Sequence, residues 1–211
     1  MTHAILSTPD KTYEQIANAS NEVAGRLAAR LVQETQGEVL FTPADRGRYA
    51  TDASIYQVIP LGVFVPRDTQ DVAIAMDICR DLGVPIVPRG GGTSQCGQTT
   101  GAGLVIDHSK YVRNVLQIDT EQRTVEVEPG LVLDHLNAQL KSTGLWFPVD
   151  VSTSAQATIG GMAGNNSCGS RSIAYGNMVH NVLGATARTS DGTVMQLGRF
   201  DVSTGRARAV G

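Results

Sequence analysis

Apolar residues recur every three or four positions near the start of the chain. This stripe runs from Tyr13 to Leu31 and predicts an amphipathic helix that ends near Gln33. Thr12 and Gln15 have the spacing of a capping box, in which each side chain bonds the backbone of the other, so the helix should begin at Thr12.

Short apolar runs and a second helical stripe follow between residues 61 and 108. The runs LGVFVP, VPIVP and GLVIDH are bounded by Gly or Pro, as expected of buried strands. Between the first two runs, the stripe from Val72 to Leu82 predicts a helix that Asp68 or Thr69 caps and Gly83 ends. This order predicts a small parallel α/β unit with a loop at the carboxyl end of a strand, where ligands of open α/β sheets bind.

The pattern changes to alternation between apolar and polar residues after Tyr111. The segments NVLQID, RTVEVEPG and NVLGATARTSDGTVMQLG are typical of antiparallel strands, with SDGT as the turn of the last hairpin. A stripe from Val132 to Leu140 predicts a helix that ends at Gly144. We therefore expect an α+β fold with a helical segment at 1–37, a parallel α/β lobe at 38–110 and a lobe with a mainly antiparallel sheet at 111–211.

The composition argues against several classes of function. The net charge of −3 and pI of about 5.8 give no basic footprint for nucleic acid. No run of eighteen apolar residues predicts a transmembrane segment, and the N-terminus lacks the pattern of a signal peptide. The three cysteines, Cys79, Cys96 and Cys168, fit neither a disulfide framework nor a metal site. We expect a cytoplasmic protein without a metal ion.

Glycine is concentrated where chemistry is expected, because ten of the 23 glycines fall in 90–103 and 160–169. The first window, PRGGGTSQCGQTTGAG, has more glycine than a surface turn needs. It is not an NTPase phosphate loop, because Gln98 stands where a lysine is required, and it is not a dinucleotide fingerprint, because Gln95 replaces the last glycine. The interpretation that remains is a concave nest of main-chain amides. These amides, together with the Thr93 and Ser94 hydroxyls, would bind a diphosphate. Arg89 either adds charge or anchors this loop.

The second glycine window predicts a partner for the first. Thr158 can cap a short helix that opens at Ile159, and the free N–H groups at its start would also suit phosphate. Two such loops imply an elongated ligand that lies between the lobes.

The motifs PRGGGTSQCGQ, VEPG, PVDVSTSAQATIGGMAGNNSCGS, AYG and NVLGATARTSDGT, in this order and spacing, resemble the FAD-binding domain (PCMH type) of the vanillyl-alcohol oxidase superfamily. The likeness covers roughly residues 38–198. It is closest to FAD-linked oxidases with a C-terminal iron–sulfur domain, the group of glycolate oxidase, D-lactate dehydrogenase and D-2-hydroxyglutarate dehydrogenase. The resemblance implies a two-lobed PCMH-type fold and an enzyme that oxidises a small 2-hydroxy acid by hydride transfer to FAD.

The resemblance also implies the cofactor site. Arg89 to Ser94 would wrap the FAD pyrophosphate, six further residues would line the ribityl and isoalloxazine side, and Val182 would lie near the adenine or ribose. The residues implied are Arg89, Gly90, Gly91, Gly92, Thr93, Ser94, Asp150, Ser154, Thr158, Gly160, Gly161, Asn165 and Val182. Some relatives hold the flavin covalently through a histidine and a cysteine. Thr93 and Ser154 occupy those places here, so we expect non-covalent FAD.

In the family this chain resembles, a substrate-binding cap and an iron–sulfur domain follow the flavin domain. The sequence shows neither, so we expect an inactive N-terminal fragment of a larger enzyme. An iron–sulfur cluster would lie only in the missing C-terminal part, and the catalytic residues lie outside this chain. Peripheral membrane association of the full-length protein stays open. A stand-alone FAD or nucleotide-binding module and a flavoenzyme like the UDP-sugar enolpyruvyl reductases are the alternatives.

Three further side chains have a functional and a structural interpretation. Cys96 and Cys168 lie in the two loops and could be reactive, although small cysteines in loops more often fill space. His180 could approach a flavin, but a bond to nearby backbone is the preferred interpretation.

Overall fold

The structure is a computed structural model that describes residues 13–201 and 206–208, with side chains from 21 to 198. The α-helices are α1 (Tyr13–Glu34), α2 (Pro43–Arg48), α3 (Thr69–Leu82), α4 (Leu133–Leu140), α5 (Ile159–Gly164), α6 (Ser172–Tyr175) and α7 (Met178–Asn181). The strands are β1 (Glu38–Leu40), β2 (Gly62–Val65), β3 (Ile86–Arg89), β4 (Leu104–Asp107), β5 (Val115–Asp119), β6 (Thr124–Val127), β7 (Gly184–Arg188), β8 (Val194–Asp201) and β9 (Arg206–Arg208). The helix predicted near the N-terminus is confirmed as α1, whereas Thr12 of its capping box lies outside the described residues.

The first sheet has four strands in the order β1-β2-β4-β3. Strands β2 and β3 both pair in parallel with β4, so Val63 and Val87 flank Val105. The predicted parallel unit is therefore confirmed, and the glycine-rich loop leaves the carboxyl end of β3. Strand β1 adds an antiparallel edge, with Val39 opposite Phe64, which the sequence pattern did not predict.

Apolar side chains bury both faces of this sheet. On one face, Leu27 and Leu31 of α1 and Ile78 of α3 pack with Phe64 and strand β4 in one buried cluster. On the other face, the valines of β2 and β4 are covered by side chains from β1, from the end of α2 and from the segment after β4. This double coverage is typical of parallel strands, which read as continuous apolar runs in the sequence.

Local sequence signals fix both ends of α3. The Asp68 carboxylate accepts a hydrogen bond from the Asp71 amide at 2.9 Å, and Gly83 ends the helix with φ of 65°. The buried Asp71 carboxylate accepts hydrogen bonds from the backbone N–H groups of Gln36 and Arg67, both at 2.9 Å. This carboxylate ties the start of α3 to the segments that precede β1 and follow β2.

The second half of the chain contains small antiparallel sheets. Strands β5 and β6 pair with each other, and β7, β8 and β9 form a three-stranded sheet in that order. The predicted turn between β7 and β8 is confirmed, with Gly192 at φ of 90°. Helix α4 packs against the β5–β6 hairpin and continues as a 3₁₀ turn to Gly144, as predicted. No helix in the described residues is long and apolar enough to cross a membrane.

Helix α2 was not predicted. Its six residues are too few for an apolar stripe, and none is buried. Thr42 caps it through a hydrogen bond from the Asp45 amide at 3.2 Å, and Pro43 occupies the first turn. A capping threonine followed by proline is a start signal that sequence reasoning could have used.

Candidate functional site

A groove of about 520 Å³ lies between the first glycine-rich loop and the segment around α5. Its size is in the usual range of small-molecule sites. The two walls are lined by Gly90, Gly91, Gly92, Thr93, Ser94, Gln95, Cys96, Gln98, Thr99, Val151, Ser152, Thr153, Ala157, Thr158, Gly161, Met162, Gly164, Asn165, Asn166, Ser167 and Cys168. Every one of these residues has an uncharged side chain, so no charged side chain in the lining would bind an anion there.

Two glycines allow the walls to meet. A Cβ atom on Gly90 would lie 2.1 Å from Thr158 Oγ1, and one on Gly91 would lie 2.1 Å from the carbonyl oxygen of Gln156. No side chain fits at such distances, so these positions require glycine for close approach. The prediction that the two glycine-rich segments face each other across one site is thus supported by direct contact between them.

The first wall of the groove is the glycine-rich loop, residues 90–99, and the second wall is the segment 151–168. In the first wall, the backbone accepts hydrogen bonds but donates almost none. Among the described residues, no amide of positions 91–99 donates a hydrogen bond to a protein acceptor. The carbonyls of Gly92, Gly97 and Thr99, by contrast, all accept hydrogen bonds. Gly92 and Gly97 have φ of 66° and 78°, conformations that favour glycine. The loop therefore has several unused N–H donors.

The Ser94 hydroxyl has no hydrogen-bond partner although its oxygen is buried. Buried polar atoms in folded proteins almost always have a partner, so an orphaned hydroxyl marks a place where a ligand or water supplies one. Together with the unused amides, it forms a set of donors that fits the oxygens of a diphosphate. The residues present thus fit the cofactor that the sequence motifs imply.

At the second wall, one prediction about the start of α5 is confirmed and another is wrong. Thr158 caps α5 as predicted, with its Oγ1 accepting from the Gly161 amide at 3.4 Å. The prediction that the first N–H groups of α5 are free is wrong. The Ile159 amide donates to the Leu131 carbonyl and the Gly160 amide to the Pro129 carbonyl, both at 2.8 Å. The chain before α4 runs beside the start of α5 and uses these donors.

The predicted site residues fall into two sets. The first set lines the groove and comprises Gly90, Gly91, Gly92, Thr93, Ser94, Thr158, Gly161 and Asn165. The second set lies outside the groove lining and comprises Arg89, Asp150, Ser154, Gly160 and Val182.

The residues of the second set have structural contacts. The Asp150 carboxylate accepts from the Arg171 amide and the Ser170 hydroxyl, and these bonds hold the pKa of Asp150 below its ordinary value. The Ser154 carbonyl accepts from an amide of α4, and Val182 packs against a buried apolar cluster. A Cβ on Gly160 would lie 2.6 Å from Pro129 Cβ, so this glycine is needed for backbone packing.

The cysteines separate into two classes. Cys96 and Cys168 are exposed and line the groove from opposite walls. Cys79 is fully buried in α3, and burial raises the pKa of its thiol to about 12. All three side chains are free thiols. His180 Nδ1 accepts from the Asn177 amide at 3.1 Å, as the structural interpretation of that histidine predicted.

Sequence reasoning missed the segment that supports the first wall. Residues 49–53 provide carbonyl, carboxylate and amide groups that bond Arg89 and, in the glycine-rich loop, Thr99 and Gly92. The sequence YATDAS carries no glycine motif and no apolar stripe. Its only local signal is an Asx turn, in which Asp52 accepts from the Ser54 amide at 2.8 Å.

Residues 60–198 match the family model described as FAD binding domain. The chain is 40% identical over 162 residues to D-2-hydroxyglutarate dehydrogenase of Pantoea ananatis, a match that covers 75% of this chain and 16% of that protein. It is 36% identical over 170 residues to glycolate oxidase subunit GlcD of Bacillus subtilis, which covers 78% of this chain and 36% of that protein. The chain therefore spans well under half the length of these relatives.

Solved structures share the fold. Alkyldihydroxyacetonephosphate synthase aligns with a TM-score of 0.71 and 20% identity over 92% of this chain and 39% of that chain. 6-Hydroxy-D-nicotine oxidase of Arthrobacter nicotinovorans aligns with a TM-score of 0.69 and 24% identity over 78% of this chain and 36% of that chain. These alignments confirm the predicted α+β fold of the PCMH type.

Proposed function

Because the chain belongs to the family of FAD-binding domains, we propose that it is the cofactor-binding part of an oxidoreductase that oxidises a small 2-hydroxy acid. The substrate class rests on relatives that are named for D-2-hydroxyglutarate, glycolate and D-lactate. The donor side of the reaction would be a hydroxyl-bearing carbon next to a carboxylate, as in all three compounds.

The observation that carries the proposal is the unsatisfied donor set of the first wall. The amides of residues 91–99 and the Ser94 hydroxyl would hold the diphosphate of FAD. The second wall would hold the ribityl and isoalloxazine side through Thr158, Gly161 and Asn165, which line the same groove. The residues that lie outside the lining, Asp150, Ser154, Gly160 and Val182, would act by shaping that wall.

Bound FAD supplies the hydride acceptor, and the chain supplies binding and orientation. Thr93 and Ser154 offer no histidine or cysteine for attachment, so the cofactor would be held without a covalent bond. Substrate-binding and catalytic residues would belong to other parts of a longer protein, as would an iron–sulfur cluster. The division into a helical segment at 1–37 and lobes at 38–110 and 111–211 is part of this proposal.

A cytoplasmic location is also part of the proposal. It rests on three unpaired thiols, two of them exposed, which suit a reducing compartment. Fractionation of cells that express the tagged full-length protein would test it, and recovery in the membrane pellet would contradict it.

The decisive experiment is a titration of the purified chain with FAD, followed by flavin absorption and fluorescence. Riboflavin is the control for the ring system, because it has the same isoalloxazine and ribityl groups but lacks the diphosphate and the adenosine. We expect FAD to bind at least ~10-fold more tightly than riboflavin, since only FAD satisfies the amides, and a factor of ten corresponds to ~1.4 kcal/mol. Absence of FAD binding to a chain that circular dichroism shows to be folded would refute the proposal.

The substrate class needs the full-length protein. Turnover of D-lactate, glycolate or D-2-hydroxyglutarate with an artificial electron acceptor is the expected result. A protein that holds FAD and oxidises none of the three would contradict the substrate class. It would favour a stand-alone binding module or an enzyme of the UDP-sugar enolpyruvyl reductase type.

A further inference from the structure

We propose that Arg89 and the segment 51–53 are positioning elements that turn the carbonyls of the glycine-rich loop away from the groove. In this arrangement the positive charge of Arg89 lies behind the loop and does not bind the ligand. The inference deepens the proposed function, and it rests on that function where FAD is used as the probe.

The loop carbonyls are bonded by Ala53, Thr100 and Arg89, none of which lines the groove. The Ala53 amide donates to the Gly92 carbonyl at 3.1 Å. The Thr100 hydroxyl donates to the Gly97 carbonyl at 3.1 Å, and Arg89 Nη1 donates to the Thr99 carbonyl at 3.3 Å. Within the described residues, every backbone hydrogen bond of positions 91–99 is therefore made through a carbonyl oxygen. Because the loop carbonyls are fixed by these hydrogen bonds, the loop amides remain available to donate to a ligand.

Arg89 joins both ends of the loop to the segment after α2. Its Nη2 donates to the Thr51 carbonyl at 2.8 Å, and its Nη1 lies 3.4 Å from the Tyr49 carbonyl and 3.3 Å from the Thr99 carbonyl. A Cβ on Gly92 would lie 2.6 Å from Nη2, so the guanidinium rests against the backbone of the loop. A lysine has the charge but not the planar fork needed to reach these three carbonyls, which lie on two segments.

Asp52 makes the second connection. Its Oδ2 accepts from the Thr99 hydroxyl at 3.0 Å, and its Oδ1 accepts from the Ser54 amide. Burial acts to raise the pKa of Asp52, but the hydrogen bonds from Ser54 and Thr99 outweigh it and lower the pKa below its ordinary value. The carboxylate is thus a charged acceptor that fixes the end of the loop together with Arg89.

The charged side chains near the loop lie outside the groove lining, and this placement can be tested. Arg89 and Arg48 line an adjoining hollow of about 380 Å³, whereas the groove lining contains no charged residue. Fixed amide dipoles act over a short range, but a charge that neutralises a phosphate is screened by salt. An anion held by the amides alone should therefore keep its affinity when the ionic strength rises, and removal of Arg89 should not change that dependence.

The experiment compares Arg89→Lys with wild type, using FAD titrations at about 0.05 M and about 0.5 M salt. We expect Arg89→Lys to bind FAD about tenfold more weakly, with the same small salt dependence as wild type. Arg48→Lys is the matched control: the Arg48 side chain is 65% exposed and is paired with Asp45 in α2, and the FAD affinity of this variant should be unchanged. Wild-type affinity in Arg89→Lys, which keeps the charge, or a steep salt dependence that is lost in Arg89→Gln, which removes the charge, would overturn the inference.

Asp52 provides a second, independent comparison. Asp52→Asn keeps an oxygen that can accept from Thr99 and should bind FAD nearly as wild type does. Asp52→Ala should lose about tenfold in affinity, and adding Thr99→Val to it should cost little more, because both changes remove the same bond. Additive losses in the double variant would contradict the connection.

A measurement without FAD separates this inference from the proposed function. The amide resonances of residues 91–99 in a two-dimensional NMR spectrum of the free protein should shift in Arg89→Lys, and those of β5 and β6 should not. If wild type fails to bind FAD but these shifts occur, the proposed function fails and the positioning role stands. If the loop amides do not respond, the positioning role is wrong whether or not FAD binds.

Discussion

Replacing Gly91 by alanine tests the contact that joins the two walls. The new Cβ would lie 2.1 Å from the Gln156 carbonyl oxygen, whereas carbon–oxygen contacts in proteins are about 3.3–3.6 Å. One wall must therefore retreat by more than ~1 Å. Because the obstacle is backbone and not a flexible side chain, we expect a loss of about 1–3 kcal/mol in the free energy of unfolding, as in other overpacked sites.

The same retreat should weaken cofactor binding. A displacement of that size lengthens hydrogen bonds across the groove beyond their useful range, and a bond to a charged group is worth about 1.5–3 kcal/mol. Loss of one such bond predicts a fall in FAD affinity of about 10- to 100-fold. Urea unfolding measures the first effect, and FAD titration of the folded variant measures the second.

Gly25→Ala is the matched control for this experiment. Gly25 lies in α1, and a Cβ added there would have nothing within 4 Å. The same substitution should therefore stabilise the helix by about 0.5–1 kcal/mol and leave FAD affinity unchanged. If Gly91→Ala behaves like Gly25→Ala in both assays, the walls do not meet at Gln156, and the groove does not have the geometry described above.

Three further predictions concern thiols, a buried carboxylate and pH. Alkylation followed by mass spectrometry should modify Cys96 and Cys168 but not Cys79, and saturating FAD should slow both reactions; unchanged rates with FAD bound would place the ligand elsewhere. Asp71→Asn should lower the free energy of unfolding by about 1–3 kcal/mol in urea, because two backbone amides lose a charged acceptor; an unchanged midpoint would refute this. A hydrogen bond from the neighbouring threonine hydroxyl lowers the pKa of Asp191 to about 2, below the unfolded value of about 3.9. Its contribution to stability should therefore be complete above about pH 4 and be lost as the pH falls through 2, and an NMR titration midpoint near pH 4 would contradict it.

Elements with strong local signals were predictable from the sequence. Helix α3 has a capping aspartate at one end and a glycine with positive φ at the other, and both signals act within a few residues. The parallel strands were predictable because each is a short apolar run between glycine or proline. The first wall of the groove followed from Gly90, Gly91 and Gly92, since three adjacent glycines indicate close approach of another group.

The features that the sequence did not predict depend on contacts between distant segments. Nothing near α5 in the sequence shows that the carbonyls of Pro129 and Leu131 use its first amides. The sequence cannot decide whether Arg89 supplies charge or an anchor, because its partners at Tyr49 and Thr51 are about forty positions away. Helix α2 escaped prediction for a different reason, namely that it buries no apolar face.

The contact between Gly91 and Gln156 also has a kinetic consequence. The two walls belong to segments that are far apart along the chain. Bringing them together costs conformational entropy before the contact between them stabilises the fold. Helices such as α1 and α3 can form early from local interactions, but the groove exists only after both halves have folded and docked. Recovery of FAD binding after dilution from denaturant should therefore lag behind recovery of helical circular dichroism, so the cofactor would report completion of folding.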